Sequence, residues 1–184
     1  MRTSYVFLAE GFEEIEAIAT VDVLRRAGMD VKTVSITPLR NVRGAHGMEV
    51  VVDVLFADTD FSDAEWLICP GGLPGASNLA ACQPLCSLLK SHKRGVAAIC
   101  AAPAVVLAPL GLVDGKEVTC YPGFEDACEL GGGKIREGAA VVASGKFVTG
   151  AGPATAIPFA LAIVGETLGE DAAREVAAGM LTTF

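Results

Sequence analysis

The chain has 184 residues, half of them apolar, with few aromatics and a net charge of −8. That length suits one domain with a full core, and the wealth of Gly, Ala and Val suits tightly packed α/β layers rather than a disordered or disulfide-stapled chain. The excess of 22 acidic over 14 basic side chains, with no Lys/Arg stripe, argues against a nucleic-acid partner.

Residues 3–9 read as a first strand, and a helical pattern follows over 13–27. Ile15, Ile18, Ala19, Val23 and Leu24 fall near one stripe of that helix. Glu13, Glu14 and Glu16 crowd its first turn, where the dipole favours negative charge, and Gly28 is its left-handed cap. A second strand over 30–36 completes a βαβ start, which implies a parallel sheet with right-handed crossovers. Residues 37–48 read as loop, 49–56 as a strand open to antiparallel pairing, and 57–64 as an acidic connector. Strand 65–69 runs into Pro70-Gly71-Gly72, with a helix within 75–93. Strand 95–99 ends at Cys100, and an Ala/Val/Leu-rich helix follows over about 101–110. A turn at 111–116 leads to a short strand at 117–120, ending at Tyr121-Pro122. The acidic, Gly-rich stretch 123–139 holds one short helix and a loop. Residues 140–143 and 147–149 flank Ser144-Gly145-Lys146 as a hairpin, and helices to about 168 and over 170–181 close the chain. These elements predict a single three-layer α/β domain over 1–184, with a mostly parallel sheet and helices on both faces.

Neither a signal peptide nor a membrane span is expected. Glu10, Glu13 and Glu14 interrupt the amino-terminal apolar run, and no apolar stretch reaches the roughly 18 residues of a span. The expected compartment is the cytoplasm, so Cys69, Cys82, Cys86, Cys100, Cys120 and Cys128 should be reduced. Cys82 and Cys86 would share a helix face, but no second pair stands at zinc spacing, and no metal is expected.

Three turns converge on one edge of the predicted sheet, outside the carboxyl ends of its strands, where open α/β sheets place their sites. Cys100 falls at a strand-to-helix turn, where free backbone N–H groups and the helix dipole favour a thiolate. Gly71-Gly72 brings bare backbone beside it, able to hold an oxyanion. Glu16 projects from the first turn of its helix toward the same crevice. Plainer readings stand beside each: a small buried cysteine, a solvated helix-start acid and a tight turn. Of the two histidines, His92 sits in a polar run at a helix end and His46 in a loop between strands; neither follows strand 117–120, where a base for Cys100 would be convenient.

The residues in order resemble the ThiJ/PfpI superfamily, and within it the branch of the parkinsonism-associated protein deglycase and its bacterial homologues. The matching stretches are Glu10-Gly11-Phe12-Glu13-Glu14-Ile15-Glu16, Val21-Asp22-Val23-Leu24-Arg25-Arg26-Ala27-Gly28 and Pro70-Gly71-Gly72-Leu73-Pro74-Gly75-Ala76. They continue with Ala97-Ala98-Ile99-Cys100-Ala101-Ala102-Pro103, Val118-Thr119-Cys120-Tyr121-Pro122 and Gly152-Pro153-Ala154-Thr155-Ala156. The resemblance implies a flavodoxin-like sandwich, usually a homodimer, with Arg25, Arg26 and His46 as interface contributors. It further implies a nucleophile-elbow cysteine at Cys100, Glu16 as its carboxylate partner, and backbone donors from Gly71, Gly72 and Ala101. Many members carry His-Pro where this chain has Tyr121-Pro122. A tyrosine is a poor base at neutral pH but can donate a hydrogen bond to a substrate.

The activity this implies is that of a cofactor-independent glyoxalase or deglycase acting on small reactive carbonyls, methylglyoxal or glycated amines and thiols, through Cys100 and Glu16. The alternative is a non-enzymatic oxidative-stress sensor or chaperone in which Cys100 is oxidised to sulfinate. A cysteine peptidase, suggested by the superfamily's name, is weakened by the missing histidine.

Overall fold

The computed structural model describes residues 2–184. β1 (Ser4–Leu8), α1 (Glu14–Arg26) and β2 (Val31–Ser35) form the opening βαβ unit, with β1 and β2 parallel from Ser4↔Val31 to Leu8↔Ser35. Every residue of β1 is buried, and its sequence shows no polar alternation because a central parallel strand is covered on both faces. Glu13 caps α1, its carboxylate accepting the Glu16 N–H at 2.7 Å, and Gly28 takes the expected left-handed φ of 77° beyond the helix.

The stretch read as a loop and one strand holds three strands. β3 (Asn41–Arg43) and β4 (Glu49–Val51) make a separate antiparallel ribbon, and β5 (Val54–Leu55) pairs in parallel with β2 at the edge of the main sheet. Asp53 stands at the break between β4 and β5. Its carboxylate accepts the Thr33 N–H and hydroxyl at 2.8 Å each and the Arg25 guanidinium at 2.7 Å, which draws the chain out of the ribbon and back to β2.

β6 (Trp66–Cys69) lies parallel beside β1, and β7 (Gly95–Ile99) parallel beside β6. The helix expected within 75–93 is two, α2 (Gly75–Ala81) and α3 (Gln83–Ser91), parted at Cys82. Pro84 is the reason: it has no N–H for a continuous helix but suits the first turn of a new one. After β7 a π-helical turn (Pro103–Leu107) runs into a 3₁₀ turn (Ala108–Leu110), in place of the α-helix expected there. β8 (Glu117–Val118) stays outside the main sheet and pairs in parallel with β9 (Lys134–Ile135), a strand the Gly-rich stretch concealed, with α4 (Glu125–Leu130) between them. β10 (Val141–Ala143) and β11 (Phe147–Gly150) form the expected hairpin, and β11 runs parallel to β7. α5 (Ala156–Leu168) and α6 (Glu170–Gly179) complete the chain.

The main sheet has the order β10-β11-β7-β6-β1-β2-β5, with β10 its antiparallel strand. α1 packs on α5 and α5 on α6, while α2 packs on the 103–107 turn. Right-handed crossovers place these two groups on opposite faces, which makes the expected three layers. Trp66, fully buried, anchors the far end of the sheet through its indole N–H, which donates to the Thr167 hydroxyl at 2.8 Å. The strand order reverses between β1 and β6, so a crevice opens beyond their carboxyl ends. Among the described residues no helix is long and apolar enough to cross a membrane.

Candidate active site

Cys100 directly follows β7 with φ 64°, a left-handed conformation that costs a non-glycine residue about 1–2 kcal/mol. Two backbone hydrogen bonds hold it there. Its N–H donates to the Gly150 carbonyl at 2.9 Å, and its own carbonyl accepts the Tyr121 N–H at 2.8 Å. The elbow is clamped between the end of β11 and the segment after β8, which lifts the side chain out of the strand direction into the crevice. The residue is 8% exposed.

Glu16 is wholly buried, brought under the sheet edge by the first turn of α1. Its Oε2 accepts the Gly71 N–H at 2.7 Å, and its Oε1 has no hydrogen-bond partner. The carboxyl and the Cys100 side chain both lie against Gly71, and the N–H groups of Gly72 and Ala101 favour the charged form of the sulfur. Gly71 makes the meeting possible. A Cβ there would lie 2.6 Å from Cys100 Cβ and 2.9 Å from Glu16 Oε2. Gly72 has φ 85°, and a Cβ on it would come within 2.6 Å of the Gly11 carbonyl oxygen, so the turns after β1 and β6 touch backbone to backbone. The Glu13 N–H donates to the Gly71 carbonyl at 3.0 Å and the Gly75 N–H to the Gly11 carbonyl at 3.1 Å, which locks those turns together.

Burial is the first cause of the electrostatics. It pushes the Glu16 carboxyl up to about 7, with the Gly71 N–H and the Cys100 thiol pulling the other way. Burial and then the adjacent Glu16 push the Cys100 thiol up to about 12, against the Gly72 and Ala101 N–H groups. The thiolate favoured by the turn's N–H groups alone is therefore outweighed, and the two residues titrate as one unit. That unit loses its first proton near neutrality and holds the second tightly. The remaining proton lies between a carboxylate stabilised by Gly71 and a sulfur stabilised by Gly72 and Ala101.

The predicted site residues meet, with two differences. Gly71 was expected as an open backbone donor, but its N–H is taken by Glu16, so it orients the carboxyl; Gly72 and Ala101 remain the donors at the sulfur. Tyr121 contributes its backbone N–H to the elbow, while its ring, 45% exposed, packs edge-on to Phe124 and its hydroxyl makes no hydrogen bond among the described residues.

Residues missed from sequence stand next to the pair. Glu14, also buried, accepts the His46 N–H at 2.7 Å and the His46 Nδ1 at 2.8 Å, tying the loop before β4 to α1. Gly44 leaves room for that carboxyl, since a Cβ there would collide with it. The partners lie 32 residues apart, and the glycine was the one local hint. Burial pushes Glu14 up, but its hydrogen bonds from His46 and Met48 hold it below the usual carboxylate value; His46 in turn is raised by Glu14. Glu13, Glu14 and His46 form the cluster of metal-ligand type among the described residues. Both Glu14 oxygens are taken by His46 donors and Glu13 Oε2 by the Glu16 N–H, so these residues tie the loop and the helix start together.

The DJ-1/PfpI family model matches residues 2–166. Protein DJ-1 homolog B of Arabidopsis thaliana is 38% identical over 172 residues, which is 92% of this chain and 39% of the plant protein; the chain thus spans about two fifths of that relative's length. Glutathione-independent glyoxalase DJR-1.2 of Caenorhabditis elegans is 40% identical over 162 residues, 86% of this chain and 84% of the nematode protein. The solved structure of oxidized Toxoplasma gondii DJ-1 superposes with a TM-score of 0.92 at 35% identity, covering both chains completely.

Proposed function

The chain belongs to the DJ-1/PfpI family, and from its Cys100–Glu16 pair we propose that it is a cofactor-independent glyoxalase or deglycase acting on small reactive carbonyls. The observation that carries this is a buried carboxyl, with a pKa near 7, set against a thiol in a clamped elbow. A base whose pKa matches the operating pH is the most useful one, and a thiol can be activated by an adjacent base as well as by a lowered pKa of its own. The nematode relative's name as a glyoxalase supports the same class of chemistry.

With methylglyoxal, the Cys100 sulfur adds to the aldehyde carbon while Glu16 takes the thiol proton. The developing oxyanion is held by the Gly72 and Ala101 N–H groups, and protonation gives a hemithioacetal. Glu16 then moves the carbon-bound proton to the neighbouring carbon through an enediol, the hydroxyl proton passing to the neighbouring oxygen; this leaves a lactoyl thioester, from which water releases lactate and the free thiol. On a glycated amine or thiol the same addition and hydrolysis returns the unmodified group. We assign Tyr121, whose backbone joins the elbow and whose ring is exposed, to contact with the bound carbonyl compound. Consumption of methylglyoxal by the purified protein should vanish in Cys100→Ser and fall steeply in Glu16→Gln; equal turnover in wild type and both variants would rule the reading out.

A second reading, an oxidative-stress sensor with chaperone-like action, rests on the same pair. A Cys100 sulfinate is an anion, and a Glu16 that keeps its proton up to about 7 can donate to it. Peroxide should then add two oxygens to Cys100 well before it touches Cys69, which is fully buried. We place the protein in the cytoplasm as a homodimer. The apolar Ile15, Ile18 and Met48, exposed on α1 and on the loop tethered to it, form the face that a second copy would cover. Sedimentation of Ile18→Glu as a monomer, against a wild-type dimer, tests that face.

A further inference from the structure

The carboxyl ends of the strands hold Cys100, and the amino ends hold a second region of opposite charge. Where α3 gives way to β7, His92, Lys93 and Arg94 form a wall shared by two adjoining clefts of about 370 and 260 Å3. Lys116, from the turn before β8, and Lys146, from the turn of the β10–β11 hairpin, line the larger cleft from two other stretches of chain. Four of the chain's 14 Lys and Arg residues thus line one cleft, and no Asp or Glu among the described residues does. The protein as a whole carries −8, and its acids gather elsewhere: Glu125, Asp126, Glu129 and Glu137 line the cleft beside α4.

We propose that this cleft is a binding site for a phosphate group, free or carried by a small ester, separate from the Cys100 crevice. The charges are available. The Lys93 and Lys116 ammonium groups make no ion pair among the described residues, and Lys116 stands 5.2 Å over the Phe147 ring instead. Lys146 pairs with Glu65, and Arg94 pairs with Asp63 at 3.0 Å while donating to the Ala64 carbonyl at 2.9 Å. The one guanidinium of the cleft, the group that grips a planar carboxylate with two bonds, is therefore committed. What remains are ammonium point charges, which suit the higher charge and tetrahedral oxygens of phosphate. Gathering like charges costs the folded protein free energy, and a bound dianion offsets that cost. The Ser144 hydroxyl lines the same cleft and supplies a neutral donor.

The apolar lining selects the rest of the ligand. It consists of Leu89, Val96 and Phe147, all buried, and the half-buried Leu112. A short hydrocarbon or aryl group joined to the phosphate can rest there while the charge stays with the lysines. His92 shows that the shared wall is incomplete: its Nε2 is buried and has no hydrogen-bond partner among the described residues. Burial holds the pKa of that ring below its ordinary value, so it offers a neutral donor or acceptor rather than a further charge. Val96, in this lining, precedes Cys100 by four residues along β7, about 13 Å of extended strand. The two sites therefore occupy opposite edges of the sheet.

The test titrates phenyl phosphate, inorganic phosphate and benzoate into wild type and Cys100→Ser, following backbone amide shifts by NMR at an ionic strength held constant with sodium chloride. Phenyl phosphate should saturate in both proteins, with shifts over 92–96, 112–116 and 144–147. Tighter binding of phenyl phosphate than of inorganic phosphate identifies an ester as the ligand, and equal binding identifies free phosphate. Lys93 and Lys116 are exposed, so Lys93→Gln/Lys116→Gln should keep the wild-type melting temperature and weaken phenyl phosphate about tenfold or more. Lys32→Gln/Lys90→Gln removes the same charge outside both clefts and should bind as wild type does. Equal weakening by both pairs would reduce the effect to overall charge and overturn the proposal. So would benzoate binding as tightly as phenyl phosphate, shifts confined to Gly72, Cys100 and Ala101, or a titration that never saturates. None of these readouts uses the Cys100 thiol, so they stand apart from methylglyoxal turnover.

Discussion

Glu14 and Glu16 leave the same turn of α1 two residues apart, both are buried, and they end in opposite states. Glu14 is surrounded by donors from the 44–48 loop, which hold its charge in place and keep its pKa low. Glu16 receives one N–H, leaves Oε1 bare and faces a thiol, and its pKa rises to about 7. Burial acts on both carboxyls in the same direction, so the number of donors decides the outcome. One acid has become a structural tie and the other a proton carrier. Under-satisfaction is the feature that makes Glu16 suited to chemistry.

The largest effect that breaks this contrast is on turnover. Glu16→Gln keeps an acceptor for Gly71 but cannot take a proton, and methylglyoxal consumption should fall by about 10²–10⁴-fold. In wild type, kcat/KM should rise with pH through an ionisation near 7 that belongs to the pair, and this inflection should be missing from the residual activity of the variant. An unchanged inflection in Glu16→Gln would move the assignment elsewhere.

Next in size is Gly71→Ala. The added methyl would sit between thiol and carboxyl, 2.6 Å from Cys100 Cβ, so denaturant titration should show a loss of about 1–3 kcal/mol together with loss of turnover. Full activity in this variant would mean that the two side chains do not need their present approach.

The stability effects of the two acids should then have opposite sign. The folded protein holds the Glu16 proton more tightly than the unfolded chain, whose carboxyl titrates near 4.5. Its stabilising contribution is complete below about 4.5 and is lost as pH rises through about 7. Glu16→Gln should therefore be more stable than wild type above neutrality, by about 2–3 kcal/mol, with the gain fading toward the acid side. Glu14 is depressed, so its contribution is present above the usual carboxylate range and is lost as pH falls through its lowered value. Glu14→Gln should lower stability at neutral pH by about 1 kcal/mol and converge with wild type in acid. Unfolding midpoints of the two variants across pH check both signs; a common sign would show that donor count is not the deciding quantity.

The smallest effect is expected from His46→Ala. The ring is 67% exposed, and its backbone N–H still reaches Glu14. His46 is raised, so its ring contact contributes below the ordinary histidine range and is lost as pH rises through the raised value. A nearly unchanged melting temperature with altered amide exchange over 45–48 is the expected result.

Much of the framework was legible because it is local. The apolar run of β1, the first turn and glycine cap of α1, the glycines after β6 and the strand ending at Cys100 are each readable within a few residues, and with right-handed crossovers they place Cys100, Glu16 and Gly71-Gly72 on one sheet edge. β3 and β9 escaped because strands of two or three residues show no hydrophobic period, and they exist through pairing with partners elsewhere in the chain. The break at Cys82 was signalled by Pro84 and passed over.

What the sequence by itself determined is therefore the layer architecture and which residues arrive at the crevice. Only the tertiary structure decided their states: that Gly71 donates to Glu16 instead of standing open, and that Glu14 is satisfied where Glu16 is not. The physical reason is that protonation depends on desolvation and on individual donors. Those donors come from residues 32 and 55 positions away, which no local pattern records.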